Sequence, residues 1–219
     1  MEENPEEPLQ EEPEPWYKGP LRYVLAAFLI LLLVIWIPSY YFNFNPRPKN
    51  IPSIQDVAPK LDFASNETFR LKSQSDFARF VNPEDPALRQ IAAKVVAQCD
   101  GNKVCATEAL YLFVRNNINY VADPVDFEYV EDPKEVLSVK GADCESGTLL
   151  LATLLESVGI NAELVFIPRH AFLRVYLPEA SRLIRYGDWV YLDWTCSECD
   201  FGEVPQKDLD ARQEYMGVG

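Results

Sequence analysis

Cys144, His170 and Asp193 stand in an order that can make a sulfur nucleophile. A thiol attacks poorly until it is ionised. A nearby imidazolium stabilises the thiolate, and a carboxylate behind the ring fixes its tautomer and orientation. His170 is the single histidine of the chain, so no other imidazole can serve. Around the cysteine, Gly141, Ala142 and Asp143 lead into a run carrying Leu149, Leu150, Leu151, Leu154, Leu155 and Val158 before Gly159. The density of leucines predicts a buried helix with Cys144 in its first turn. There the unpaired N–H groups and the positive end of the helix dipole favour a thiolate and a developing oxyanion.

Strands must carry the other two residues. After His170, Ala171, Leu173, Val175 and Leu177 alternate with Phe172, Arg174 and Tyr176. Farther on, Val190 and Leu192 alternate with Trp189, Tyr191 and Asp193. Side chains alternate between the faces of a strand. His170 and Asp193 therefore share the aromatic and polar face rather than the aliphatic one, as residues lining a cleft should. The expected fold is α+β, with the Cys144 helix packed on a small antiparallel sheet formed by residues 162–167, 171–177 and 189–194.

Three segments carry a family resemblance: Gly141 to Gly147 with the leucine-rich run behind it, His170 to Tyr176, and Tyr191, Leu192, Asp193, Trp194 and Thr195. Together they resemble the transglutaminase-like superfamily, of papain-like Cys-His-Asp fold, as a membrane-anchored prokaryotic-type member. The resemblance spans roughly residues 115–205. It implies that Cys144, His170 and Asp193 are the catalytic residues of a cysteine protease or amidase, or of an acyltransferase working through a thioester. Phe172 and Arg174 after the histidine, and Trp194 where the family often has proline, depart from its pattern. No side chain stands out as the family's oxyanion donor. That motivates an alternative: a catalytically silent binding or scaffolding module on the same fold.

The elements before this region set a context. Residues 1–17 hold seven glutamates and several prolines with little apolar area to offset ordering entropy, which predicts a disordered acidic tail. Tyr23 to Phe42 is free of charge and, as a helix, would cover about 30 Å, the thickness of a bilayer core. Residues 18–42 are therefore expected to be an uncleaved transmembrane anchor, with the lipid bilayer as partner through residues 23–42. The acidic flank and the lack of a small-residue cleavage site weigh against a signal peptide. Residues 43–75, with Pro46, Pro48, Pro52 and Pro59, read as a linker, part of which can pack. Residues 76–219 then form the domain. Within it, Asp85 and Pro86 open an amphipathic helix that Asp100, Gly101 and Asn102 break before a second one.

Basic residues flank the apolar stretch evenly, so charge does not orient it. Cysteines do better: apart from Cys144 there are Cys99, Cys105, Cys196 and Cys199, an even set suited to two disulfides in an oxidising compartment. The domain is accordingly expected outside the cytoplasm, at the cell membrane. A zinc site and a redox CxxC pair at Cys196 and Cys199 are the rival readings. Asn66, Glu67 and Thr68 match a glycosylation acceptor. A net charge of −14 argues against nucleic acid as a partner. The expected substrate is a protein or peptide amide. With no phosphate loop or GxGxxG fingerprint, neither a cofactor nor a metal is expected.

Overall fold

The structure, a computed structural model, describes residues 19–41, 46–59, 74–123 and 130–218. The acidic tail and the acceptor at Asn66 lie outside the described residues. The chain divides into two units, Met1–Phe42 and Asn43–Gly219.

The first unit holds one helix, α1 (Leu21–Tyr41). It is apolar on every side, and Phe28, Leu29, Ile30 and Ile35 are all more than half exposed, so it has no buried stripe to seat in a core. Among the described residues no helix is long and apolar enough to cross a membrane. The described side chains of α1 stop at Ile37, short of the ~20 apolar residues a span takes. Where a transmembrane anchor is expected over residues 18–42, the fold therefore gives an exposed apolar helix and does not establish a span.

In the second unit, part of the expected spacer belongs to the core. Ile54 and Val57 on the short helix α2 (Ile54–Val57) are buried. Lys94 Nζ donates to the Val57 carbonyl, and the Gln98 side chain bonds the backbone of Lys49 and Asn50. The prolines stiffen this stretch, but its two aliphatic residues gain more by burial than by solvation.

The helical hairpin forms as its sequence dictates. Asp85 Oδ1 accepts from Ala87 N and Leu88 N at the start of α3 (Pro86–Val96), whose Leu88, Ile91, Ala92 and Val95 are buried. The chain reverses through left-handed Asp100 and Gly101 (φ 48° and 79°). It then enters α4 (Lys103–Asn117), capped by Asn102 accepting from Cys105 N. Cys99 and Cys105 are disulfide-bonded across this turn.

Next come β1 (Asn119–Tyr120), α5 (Pro133–Val139), β2 (Gly141–Ala142) and α6 (Cys144–Ser157). Strands β1 and β2 pair in parallel, with Tyr120 opposite Ala142. The main sheet contains β3 (Ala162–Ile167), β4 (His170–Tyr176), β5 (Trp189–Leu192) and β6 (Glu214–Gly217) in the order β5-β4-β3-β6, every pair antiparallel. A short helix, α7 (Gln206–Leu209), lies between β5 and β6.

Ala171, Leu173 and Val175 face the main core beneath α6, whereas Phe172 joins Val165 and Tyr191 in a smaller cluster on the other face. Two details depart from expectation: β5 ends at Leu192, leaving Asp193 just past the strand, and β6 adds a fourth strand. β6 is held through Arg174, whose guanidinium lies 3.7 Å from the Tyr215 ring centre and 4.3 Å from that of Trp189 while pairing with Glu163.

Candidate active site

Helix α6 delivers the cysteine. Asp143 is its cap, with Oδ1 accepting from Ser146 N at 2.8 Å, and Cys144 is the first helical residue. One helical turn later, Thr148 Oγ1 donates to the Ala171 carbonyl at 3.3 Å. The Ala171 N–H is directed at the Cys144 sulfur. Residues i and i+4 of the helix thus meet the same backbone unit of β4, which sets the thiol beside the residue following His170.

Trp194, itself buried in the main core, clamps this junction. Its indole N–H lies 3.4 Å from the Cys144 carbonyl, and the ring occupies the space above Gly147. A Cβ on Gly147 would come within 2.2 Å of that ring. Only glycine allows the approach.

His170 opens β4, and its Nε2 lies 2.9 Å from Asp193 Oδ2. The other carboxylate oxygen, Oδ1, accepts from Thr195 N at 3.0 Å and Thr195 Oγ1 at 2.7 Å. Tyr111 Oη donates to the Asp193 backbone carbonyl. Asp193 is 2 % exposed, so a charge there survives only because both oxygens are occupied. Burial pushes its carboxyl upward, but the bond and charge of His170 together with Thr195 outweigh it and leave the group below the usual range. Burial likewise pulls the imidazole down, and Asp193, then Asp208 and Glu145, bring it above its ordinary value. Bonding Nε2 to a carboxylate fixes the proton on that nitrogen, leaving Nδ1 as the basic one.

The thiol itself is not bonded to the imidazole. Cys144 Sγ donates to Glu145 Oε2 at 3.0 Å, and Cys144 is 8 % exposed. Burial and the Glu145 carboxylate both push the thiol well above its ordinary value, against the single counterweight of the Ala171 N–H. Asp143 and Glu145 shift in opposite directions: burial and the neighbouring carboxylate raise Asp143, while Glu145 is held down by its bonds from Asp143 and Cys144 despite its own burial. Burial and the Glu145 carboxylate thus both favour the protonated form of the thiol.

Of the residues expected at the site, His170 and Asp193 are joined, Cys144 stands next to them at the head of α6, and Glu145, Thr195 and Tyr111 come in addition. Glu145 and Thr195 lie inside the motifs that point to the site, but their side-chain directions follow from packing that no spacing encodes. Tyr120, beside Ala142 in the β1–β2 pair, has its ring 6.3 Å from that of Trp194, and burial first, then the neighbouring Cys144 and acidic groups, raise its phenol.

The four other cysteines form two disulfides, Cys99–Cys105 and Cys196–Cys199, which leaves none of them as a free thiolate for a zinc site. The second bridge closes the turn immediately after Asp193 and Thr195, and Arg115 from α4 holds it by donating to the Ser197 and Cys199 carbonyls. A cavity of about 630 Å³ opens beside the imidazole, lined among others by Arg169, His170, Asp193, Lys207 and Asp208. Among the described residues, two groups bring possible metal-ligating atoms within 4.8 Å of one another: Asp143, Cys144 and Glu145, and His170, Asp193 and Asp208. Internal hydrogen bonds account for most of this closeness in both.

Residues 89–194 match the transglutaminase-like superfamily. No curated protein matches the chain. Among solved structures, Legionella pneumophila LapG is similar over 66 % of this chain and 83 % of its own, at 18 % identity and a TM-score of 0.42. A Cytophaga hutchinsonii protein described as a candidate cysteine protease is similar over 67 % of this chain and 47 % of its own, at 15 % identity and a TM-score of 0.43. A candidate protease of Parabacteroides distasonis is similar over 59 % of this chain and 31 % of its own, at 15 % identity and a TM-score of 0.43. The chain thus spans less than half the length of the last two proteins.

Proposed function

From the transglutaminase-like superfamily domain that this chain contains, we propose a membrane-anchored enzyme that transfers the acyl group of a protein or peptide amide through a thioester on Cys144. The observation that carries the reading is the buried His170–Asp193 pair at 2.9 Å, set beside the cysteine that begins α6.

The thiol proton passes to His170 Nδ1, and the sulfur attacks the amide carbonyl carbon. Of the N–H groups of the first turn, Cys144 N remains for the oxyanion, because Ser146 N and Gly147 N are bonded to Asp143 and Glu145 N is directed at its own carboxylate. The proton on Nδ1 then goes to the departing amine as the C–N bond breaks, leaving the thioester. Water or a second amine attacks it, gives its proton back to His170, and frees Cys144. Asp193 holds the ring throughout and stabilises the imidazolium. Glu145 must release the thiol for the first step, so the substrate meets a latent nucleophile. The apolar helix α1 serves as anchor, and the two disulfides favour an extracytoplasmic domain.

A second reading is a silent binding module, and the bond of the thiol to Glu145 rather than to His170 favours it. Incubating the full chain with a peptide library separates the two. The enzyme forms a thioester that mass spectrometry finds on Cys144 after acid quenching and that hydroxylamine releases as the acyl hydroxamate, and Cys144→Ala abolishes both. Absence of the thioester in the wild type leaves the binding module.

A further inference from the structure

Resting on the acyl-transfer reading, we infer that Arg169 and Lys207 form a subsite for a carboxylate carried by the departing amine of the substrate. The cavity of about 630 Å³ is lined by His170 and not by Cys144. In the reaction the imidazole meets the leaving amine, so a cavity on its side receives what that amine carries. For amine transfer the same space would admit the incoming amine.

The charges in this cavity are unevenly committed. Both oxygens of Asp193 are bonded, to His170 and to Thr195. Asp208 belongs to the group whose donor atoms lie within 4.8 Å of those of His170 and Asp193, so its carboxylate faces the imidazole. Arg169 and Lys207 take part in no ion pair or side-chain hydrogen bond among the described residues. Arg212, which lines the adjoining hollow with Arg169, is paired with Glu214. Both are exposed, and together they set two unpaired positive charges at one cavity beside the imidazole of a chain of net charge −14.

Backbone conformation gives a second, independent reason. Ile167 pairs with His170 in the β3–β4 hairpin, so Pro168 and Arg169 are the two turn residues. Arg169 has φ 65°, the left-handed conformation that a turn with proline in its first central position ordinarily gives to glycine. An arginine is thus kept against its backbone preference in the residue next to the imidazole, and such outliers concentrate where a side chain is used. A guanidinium fork bonds a carboxylate through two parallel N–H groups, with the Lys207 ammonium as a second charge.

The test uses the full chain in detergent micelles with two peptide pools, randomised over five residues and closed by Glu-Glu or by Gln-Gln. Release of the terminal dipeptide is followed by mass spectrometry. The wild type releases Glu-Glu about tenfold faster or more, the scale of one charge-assisted pair. Arg169→Gly brings the ratio to within about twofold, and Arg169→Lys retains most of it. Because glycine suits φ 65°, Arg169→Gly melts no lower than the wild type, which separates lost preference from misfolding. Equal release by the wild type, or an unchanged ratio in Arg169→Gly, overturns the subsite and leaves the acyl-transfer reading standing. Release from neither pool overturns the subsite too. Detection of the Cys144 thioester, and its release as a hydroxamate by hydroxylamine, then decides the acyl-transfer reading separately.

Discussion

Cys144 donates its proton to Glu145, the residue that follows it in the chain, and this carboxylate opposes ionisation of the sulfur. Glu145→Gln removes the charge while keeping the shape. Alkylation of Cys144 by iodoacetamide near pH 7 should then rise by about tenfold or more, since each unit of pKa is tenfold in thiolate. An unchanged rate would mean that burial alone holds the proton. The His170–Asp193 pair has the opposite character, each partner stabilising the charge of the other. His170 is raised from 6.5, so its contribution to stability is complete below that pH and is lost as pH rises through the folded value. Asp193 is lowered from 3.8, so its contribution is present above that pH and is lost as pH falls through the folded value. The pair therefore stabilises the fold most from about pH 4 to 6.5. With one histidine in the chain, the imidazole titration can be followed by NMR without assignment, and Asp193→Asn should move its midpoint to lower pH. A stationary midpoint would show that Asp193 does not hold the ring. The residue types at this site were legible because chemistry restricts them to few choices. The partner of the thiol was not, because the rotamer of Glu145 depends on burial by segments far away in sequence.

Where an element was legible, its pattern was dense. Fourteen residues of α6 with a leucine core, and the alternation in β4 and β5, each identify the face that meets the main core. Strand β6 offers four residues, mostly exposed, and is fixed by the contact of Tyr215 with Arg174 across the sheet, which local sequence does not announce. Helix α5 repeats the aspartate-proline start that marks α3, with Asp132 accepting from Lys134 N, but its seven residues are too few to display a stripe. The even number of cysteines was legible but their pairing was not, since four allow three pairings; the fold closes the two short loops, six residues apart in one case and three in the other. The approach of α6 to the chain after β5 hangs on Gly147. Gly147→Ala puts a methyl into the Trp194 ring and should cost about 1–3 kcal/mol, the usual penalty of overpacking. A melting temperature within a degree of the wild type would mean that Trp194 moves aside freely. Since that indole also reaches the Cys144 carbonyl, the same variant should perturb alkylation of the thiol.

At the scale of the molecule, the apolar helix α1 and the two disulfides lead to one linked expectation about place. Leucines and isoleucines exposed along α1 from Leu21 to Ile37 are stable only where something other than water covers them. A bilayer is the covering proposed, so the full chain should stay with membranes through alkaline carbonate extraction. Recovery in the soluble fraction would exclude the anchor. Independently, Cys99–Cys105 and Cys196–Cys199 favour an oxidising compartment. Intact cells treated with a membrane-impermeant maleimide, without reductant, should carry label on Cys144 alone, and reduction should add the four other cysteines. Protection of every cysteine until the cells are opened would place the domain on the inner side, and label on all five without reduction would refute the bridges. The rate also matters: Cys144 is nearly covered and bonded to Glu145, so wild-type labelling should be slow and Glu145→Gln should accelerate it. A topology experiment then reports the latency of the nucleophile in the membrane where it is proposed to act.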